Sequence, residues 1–186
     1  MKTLIFNGSP RKNGDTVFLI NELIEYLRGE VNVINTYLSP IKPCLDCRYC
    51  WKNCGCSIKD EMQVIYDYIK DCDNIIIASP LYFSELTGSL LAVGSRLQMF
   101  YASKRFVKIN QIQKKKNGAI ILCGGGDGGP EKAEETAKTL LKLMNSQVIK
   151  TIYSLKTDDI PSKDDNSAKQ QILDLAISLN KIADYN

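Results

Sequence analysis

The sequence predicts a single α/β domain: a doubly wound, five-stranded parallel sheet with helices on both faces. Short apolar or β-branched runs of strand length alternate with amphipathic runs of helical period along the chain. The most strand-like of them, Asn74-Ile75-Ile76-Ile77-Ala78, is apolar without alternation, as a strand covered on both faces should be. At 186 residues the chain can bury one sizeable core but is short for two, and no linker, repeat or low-complexity tract divides it.

Taken in order, Lys2–Asn7 is the first strand. From Asp15 to Arg28, Ile20, Leu23, Ile24 and Leu27 recur at i, i+3, i+4 and i+7, the stripe of a helix packed on one side. Val31–Tyr37 is β-branched and reads as the second strand. Ser39–Ser57 is irregular and holds all but two of the cysteines. A helix is expected from about Lys59 to Lys70, with Met62, Ile65 and Ile69 inward, before the third strand at Asn74–Ala78. A helix from Thr87 to about Tyr101, a strand at Gly118–Cys123 and a helix over Pro130–Met144 continue the alternation. Proline in the first turn and Glu131 beside it are helix-start signals. Gln147–Leu155 is the fifth strand, and a last helix runs from about Asp164 to Ala183 with Ile172, Leu175, Ala176, Leu179 and Ala183 on one face. Right-handed crossovers then distribute the helices over both faces.

Composition excludes several functions. A net charge of +3 is too small to argue for nucleic acid, and the one run of like charge, Lys114-Lys115-Lys116, reads as a solvated loop. The N-terminal apolar segment is too short for a signal-peptide core, and no run approaches the roughly eighteen apolar residues of a membrane span, so a cytoplasmic protein with no membrane partner is expected. Seven cysteines in a reducing compartment point to metal or redox chemistry rather than a disulfide framework. The absence of histidine excludes Ser-His-Asp and Cys-His catalysis and every His-ligated metal site. Hydride or electron transfer through a cofactor needs no imidazole.

In sheets of this class ligands lie beyond the carboxyl ends of the strands, where strand order reverses. That selects the loops after strands one, three and four. The first, Gly8–Thr16, has neither a dinucleotide nor a P-loop fingerprint. Its Ser9 and Thr16 hydroxyls, its helix N-terminal amides and Arg11 nonetheless suit a phosphate dianion, although a turn capped by Asp15 or Ser9 accounts for the same residues. The second, Ser79–Gly88, sets Tyr82 and Phe83 side by side, where exposure is costly unless something flat covers them or they fold back on the core. The third, Cys123–Pro130, has five glycines in six positions, which permits close backbone approach to a ligand and φ > 0 geometry, or merely a flexible loop. Together the three suit a phosphorylated planar ligand, most economically FMN in a flavodoxin-like sheet.

The chain resembles the NADPH-dependent FMN reductase and iron–sulfur flavoprotein group of the flavodoxin-like fold. The likeness rests on "GSPRKNGDT", "IKPCLDCRYCWKNCGCSIKDEM", "IIIASPLYFSELTGSLL" and "CGGG", in that order between residue 3 and about residue 130. It implies that Ser9, Arg11, Asn13 and Thr16 hold the FMN phosphate and that Pro80, Leu81, Tyr82 and Phe83 wrap the isoalloxazine ring, with Gly124, Gly125 and Gly126 as a backbone edge. It also implies NAD(P)H as co-substrate and a homo-oligomer, a dimer or tetramer. Family members often carry tryptophan and then glycine where this chain has Phe83 and Ser84.

Cys44, Cys47, Cys50, Cys54 and Cys56 fall within thirteen residues. The C-x2-C-x2-C spacing of the first three resembles the run that wraps an iron–sulfur cube, whereas zinc ribbons separate two C-x2-C knuckles by a longer loop. The fourth ligand of a [4Fe–4S] cluster is either Cys54 or Cys56; the latter gives the iron–sulfur flavoprotein spacing and is preferred. Free thiols or a disulfide remain open alternatives. Cys72 and Cys123, beside apolar strands, are expected to be core thiols, and Asp60 and Glu61 to be ordinary helix-start acids. The leading function is an FMN-dependent oxidoreductase serving a small electron acceptor, a redox protein or the cluster. The alternatives are an electron-transfer protein with no substrate of its own and a cysteine-based metal-binding or redox-sensing module.

Overall fold

Lys2–Asn7 (β1), Glu30–Asn35 (β2), Asn74–Pro80 (β3), Lys116–Gly124 (β4) and Ser146–Leu155 (β5) form one parallel sheet in the order β2-β1-β3-β4-β5. The computed structural model describes residues 1–184, with side chains as far as Lys181. Strand order reverses between β1 and β3, and β1 and β3 run in register to Asn7↔Ala78. This is the flavodoxin-like arrangement, with its crevice at the ends of those two strands.

Successive side chains of the central strands point to opposite faces, so each strand feeds two cores. Leu4, Phe6, Ile75, Ile77, Ile120 and Leu122 pack with Met62–Asp71 (α2), Gly88–Ser95 (α3), Gln98–Ala102 (α4) and Glu131–Leu143 (α5). Ile5, Ile76, Ala78, Ala119, Ile121 and Cys123 pack with Asp15–Tyr26 (α1) and Asn166–Asp184 (α6). Ile172, Leu175, Ala176 and Leu179 face that second core as expected; the side chain of Ala183 lies outside the described residues. Cys72 and Cys123 are buried thiols, also as expected.

Strand and helix ends shift by one or two residues, β2 ending at Asn35 rather than Tyr37 and α6 beginning at Asn166, and four departures have a physical cause on view. First, α1 stops at Tyr26 rather than Arg28, because Gly29 turns at φ 91° hard against the Met1 carbonyl and β2 begins at Glu30. Second, α2 starts at Met62 rather than Lys59; Asp60 stands just before it as a helix-start acid, its Oδ1 accepting from the Met62 amide at 3.2 Å while its carboxylate also pairs with Arg96. Third, the helix expected over Thr87–Tyr101 is broken. Arg96 and Leu97 donate to Val93 and Gly94, three residues back, α4 resumes at Gln98, and Ser103–Val107 widens into a π turn that ends at Lys108 with φ 64°. Fourth, the lysine run is a solvated loop only at Lys114 and Lys115, which are exposed, and not at Lys116. Lys116 opens β4 at 3% exposure and donates to the Lys114 carbonyl at 2.8 Å, and Lys114 pairs with Asp73 at 2.6 Å. Burial depresses the Lys116 pKa.

Candidate cofactor site

The loop after β1 is held flat against the sheet. Gly8 donates to the Ala78 carbonyl at 2.8 Å, Ser9 to Asn7 Oδ1 at 2.9 Å, and Arg11 to Ser9 Oγ at 3.2 Å. Gly14 precedes α1, and no side chain caps the helix. The expected caps are employed differently: Asp15 Oδ1 accepts from the Ser162 amide at 2.8 Å, and Ser9 Oγ turns to the Arg11 backbone. The first amide to find a protein acceptor at the helix start is that of Phe18, on the Gly14 carbonyl. Among the described residues the amides from Lys12 to Val17 therefore lack protein acceptors, the orphan donors of a helix N-terminus. Arg11, Lys12 and Asn13 stand exposed around them, and a cleft of about 390 Å³ opens beside the loop, lined in part by Ser9, Arg11 and Asn35. Thr16 is placed differently from the others. It is 2% exposed, a buried hydroxyl that pulls down the pKa of the Cys123 thiol. Burial pushes that thiol up to about 11, and the Thr16 and Ser162 hydroxyls only partly offset it, so Cys123 stays protonated.

The loop after β3 carries the aromatic pair on a strained turn. Tyr82 and Glu85 exchange two backbone hydrogen bonds, at 2.9 and 3.1 Å, around Phe83 at φ 54° and Ser84 at φ 60°. Two positive φ angles make a type I′ pattern, which normally calls for Asn or Gly. Phenylalanine there is an outlier held by its surroundings. Ala133 at the start of α5 donates to the Ser84 carbonyl at 3.1 Å, and Glu85 accepts from Thr136 at 3.1 Å. The aromatics do not fold back on the core: Phe83 is 101% exposed and Tyr82 is exposed beside it. Leu81 runs the other way, its amide donating to the Cys123 carbonyl at 2.8 Å.

The glycine loop after β4 is shaped by proximity rather than by left-handed backbone. None of its glycines has positive φ, so that part of the sequence expectation is not met. A β-carbon at Gly124 would press on Leu81 at 3.0 Å, and one at Gly125 would collide with the Asp158 carboxylate, while Gly126 faces open space. Asp158 belongs to the loop after β5, which sequence reasoning did not include in the site. It is tied in by Thr157, donating to the Gly124 carbonyl at 2.9 Å, and by the Ser162–Asp15 bond. The loops after β1, β3, β4 and β5 thus form one rim. The larger cavities, about 550 and 730 Å³, lie elsewhere: one between α4, the π turn and the C-terminal end of α5, the other at the start of β4 and β5 beside Lys114, Lys115 and Lys116.

The cysteine segment closes on itself against α3 and α4. Cys44, Cys47, Cys50 and Cys56 line one small cavity of about 20 Å³, with Arg96 and Met99 in its wall; Cys54 does not line it. Burial pushes the Cys50 thiol up, and charge on Cys44, Cys56 or Cys47 adds to the effect. The Ser57 hydroxyl 3.1 Å from Cys47 Sγ and the Tyr49 amide pull that thiol down. All cysteines are free, and among the described residues no three metal-binding side chains converge on a single ion. Trp51 stacks on Phe106 of the π turn, centroids 4.1 Å apart, with Arg48 over Trp51 and Arg105 over Phe106.

A family model for NADPH-dependent FMN reductase matches residues 1–159. The chain belongs to that family. Two iron–sulfur flavoproteins of Methanocaldococcus jannaschii are 30% identical over 135 residues and 33% identical over 141. The matches cover 70% and 73% of this chain and 66% and 68% of theirs, so the chain spans about two thirds of the relatives' length. An FMN-dependent NADH-azoreductase of Bacillus anthracis, solved in complex with FMN, superposes with a TM-score of 0.71 at 13% identity over 97% of this chain and all of that one, a likeness of fold. No helix among the described residues is long and apolar enough to cross a membrane.

At Ser84 glycine would carry no β-carbon penalty, since its φ is 60°. Ser84→Gly is therefore expected to stabilise the protein by about 0.5–1 kcal/mol, part of the strain at a left-handed non-glycine residue. Urea unfolding monitored by circular dichroism measures it. A destabilised variant would show that Ser84 makes contacts worth more than the strain.

Proposed function

We propose that this member of the FMN reductase family is an FMN-dependent oxidoreductase, taking electrons from NAD(P)H or a reduced carrier and passing them to a small acceptor or to an iron–sulfur cluster. The observation that carries the reading is the uncapped start of α1: orphan amides from Lys12 to Val17 ringed by Ser9, Arg11 and Asn13, the donor set a phosphate monoester needs. No second phosphate cradle of this kind adjoins it among the described loops, which favours FMN over FAD. Pro80, Leu81, Tyr82 and Phe83 would flank the ring, and the backbone of Gly124, Gly125 and Gly126 would border it, with Gly126 leaving room. Thr16, buried beneath the loop, would act by shaping the cradle. Bound FMN supplies the hydride and single-electron chemistry, which is why a chain without histidine suffices. The protein's part is to bind, orient and exclude water.

For the cysteines, the donor set suits an iron–sulfur cluster: four thiols on one cavity and no competing carboxylate in its wall except Asp46. Cys44, Cys47, Cys50 and Cys56 would hold it, and a [4Fe–4S] group supplies one-electron transfer. The present cavity has room for little more than a water, so the segment must widen to admit it. That cavity also supports a second reading, an electron carrier with no substrate of its own. Leu45, Tyr49 and Trp51 remain exposed on the same segment, and we propose that a second copy of the chain covers them.

Four measurements test these proposals. Mass spectrometry of the released flavin should find FMN; mostly FAD would end the phosphate argument. Arg11→Ala should weaken FMN about tenfold to a hundredfold, the range of one charge-assisted hydrogen bond, and an unchanged affinity would mean that Arg11 serves solvent. In anaerobically reconstituted protein, Cys54→Ser should keep its iron and Cys56→Ser should lose it; the reverse would refute the ligand choice, and iron-free wild type would refute the cluster. Sedimentation of flavin-bound protein at micromolar concentration should show a dimer or larger, and a monomer there contradicts self-association.

A further inference from the structure

Arg96 is among the largest fully buried side chains of the protein, at 1% exposure, and it is charged. Its guanidinium is spent almost wholly on the cysteine segment. Nη1 donates to the Lys42 carbonyl at 2.8 Å and to Asp60 Oδ2 at 2.7 Å. Nη2 donates to Asp60 Oδ1 at 3.1 Å, to the Ile58 carbonyl at 3.4 Å and to Cys56 Sγ at 3.4 Å. The two ends of the segment, Lys42 and Ile58–Asp60, are thus gathered on one planar fork. The third face of the same guanidinium, Nε, is buried with no hydrogen-bond partner. Backbone bonds complete the seat: the Cys44 amide donates to Ser95 Oγ at 3.0 Å, and Tyr66 donates to the Arg96 carbonyl at 2.9 Å.

A buried ion pair with an orphaned donor is a poor stabiliser compared with apolar residues of the same volume. Its cost is better explained by what the charge does at the cavity. Arg96 lines the wall shared by Cys44, Cys47, Cys50 and Cys56, and it is the cation that hydrogen-bonds one of those sulfurs.

We propose that Arg96 is the positioning residue of the cysteine site: it fixes Cys56 at the cavity and, through its charge and its hydrogen bond to that sulfur, raises the reduction potential of an iron–sulfur group held there. This rests on the iron–sulfur reading above. Reduction adds one electron to the cluster, supplied in the experiment by dithionite, so a nearby positive charge favours the reduced form and a nearby negative charge opposes it. Hydrogen bonds to the ligating sulfur act in the same sense as the positive charge. Asp60 neutralises Arg96, and the two residues are therefore expected to act with opposite sign.

The test is an anaerobic dithionite titration of reconstituted wild type, Arg96→Met and Asp60→Asn, following the cluster by electron paramagnetic resonance and the flavin by absorption in the same samples. Arg96→Met should lower the cluster midpoint and Asp60→Asn should raise it, with flavin affinity unchanged in both. Shifts of the same sign, or none, would overturn the proposal, because damage to packing has no reason to invert with the charge removed. If Arg96→Met does not fold, Arg96→Lys replaces it. That side chain is a compact point charge that cannot hold Asp60 and reach Cys56 together, and its midpoint should also fall. Amide hydrogen exchange on the iron-free proteins separates this inference from the reading beneath it. Iron-free wild type after reconstitution would remove the cluster, and Arg96 is then decided by exchange alone. Faster exchange from Lys42 to Asp60 in Arg96→Met supports positioning, and unchanged exchange there overturns it.

Discussion

The Thr87 hydroxyl donates to the Gly8 carbonyl at 2.8 Å, and through that buried bond the loop after β3 is fixed to the loop after β1. Ser79 Oγ joins the knot by accepting from the Thr87 amide at 3.2 Å, and the Gly8 amide reaches the Ala78 carbonyl. Gly8 sits inside the knot, where a β-carbon would lie 2.9 Å from Thr87 Oγ1 and 3.0 Å from both Ser79 Oγ and Leu90 Cδ2. Any other residue there would force these side chains to shift. The relation between the orphan amides of α1 and the aromatic turn depends on this contact. So does the start of α3, whose Thr87 spends its hydroxyl here and leaves the helix without a side-chain cap.

Strain elsewhere on the rim is tolerable because this knot is rigid. A left-handed Phe83 and Ser84 cost on the order of 1–3 kcal/mol each. They persist because the turn closes on two backbone bonds and is pinned at Ser84 and Glu85 by the first two turns of α5. The consequence is a phenylalanine ring held fully in solvent at the switch point of the sheet. An apolar ring fixed outward at such a cost is in keeping with the flat partner proposed above, whereas a flexible loop would have let it collapse onto Tyr82 or Leu81.

Much of this was legible in the sequence because it is local. Strand and helix periods gave the sheet. The opening turn and the Tyr82-Phe83 pair marked two rim loops, and the cysteine spacing singled out four thiols that do share a cavity. What escaped detection is long-range. Asp60 looked like an ordinary acid near a helix start, and its partner lies 36 residues away in what reads as an uninterrupted helix. The break at Arg96 follows from that pairing, which no window of the sequence contains. The loop after β5 escaped for the same reason, since Asp158 meets Gly125, and Ser162 meets Asp15, only across the finished sheet. The glycines of the loop after β4 were expected to allow a ligand's approach and positive φ; none has positive φ, and Gly124 and Gly125 are crowded by Leu81 and Asp158, because composition alone does not separate crowding from backbone handedness.

α3 joins the two halves of the molecule's chemistry. It begins beside Thr87, bonded to Gly8 of the loop after β1, and finishes at Ser95 and Arg96, bonded to Cys44 and Cys56. Eight residues at 1.5 Å each make a rod of roughly 12 Å. Its middle is clamped in the core by Leu90 and Val93, and Gly94 lets it lie close against Leu140 of α5. A short rod with both ends hydrogen-bonded into separate loops transmits position without slack. The distance and orientation between the rim of loops and the cysteine cavity are therefore set by one short helix anchored in the core at Leu90, Val93 and Gly94. The break immediately after α3 fits the same logic. Once Arg96 has turned inward to the cysteine segment the rod has reached its second anchor, and the chain is free to change direction into α4 and the π turn that carries Phe106 to Trp51.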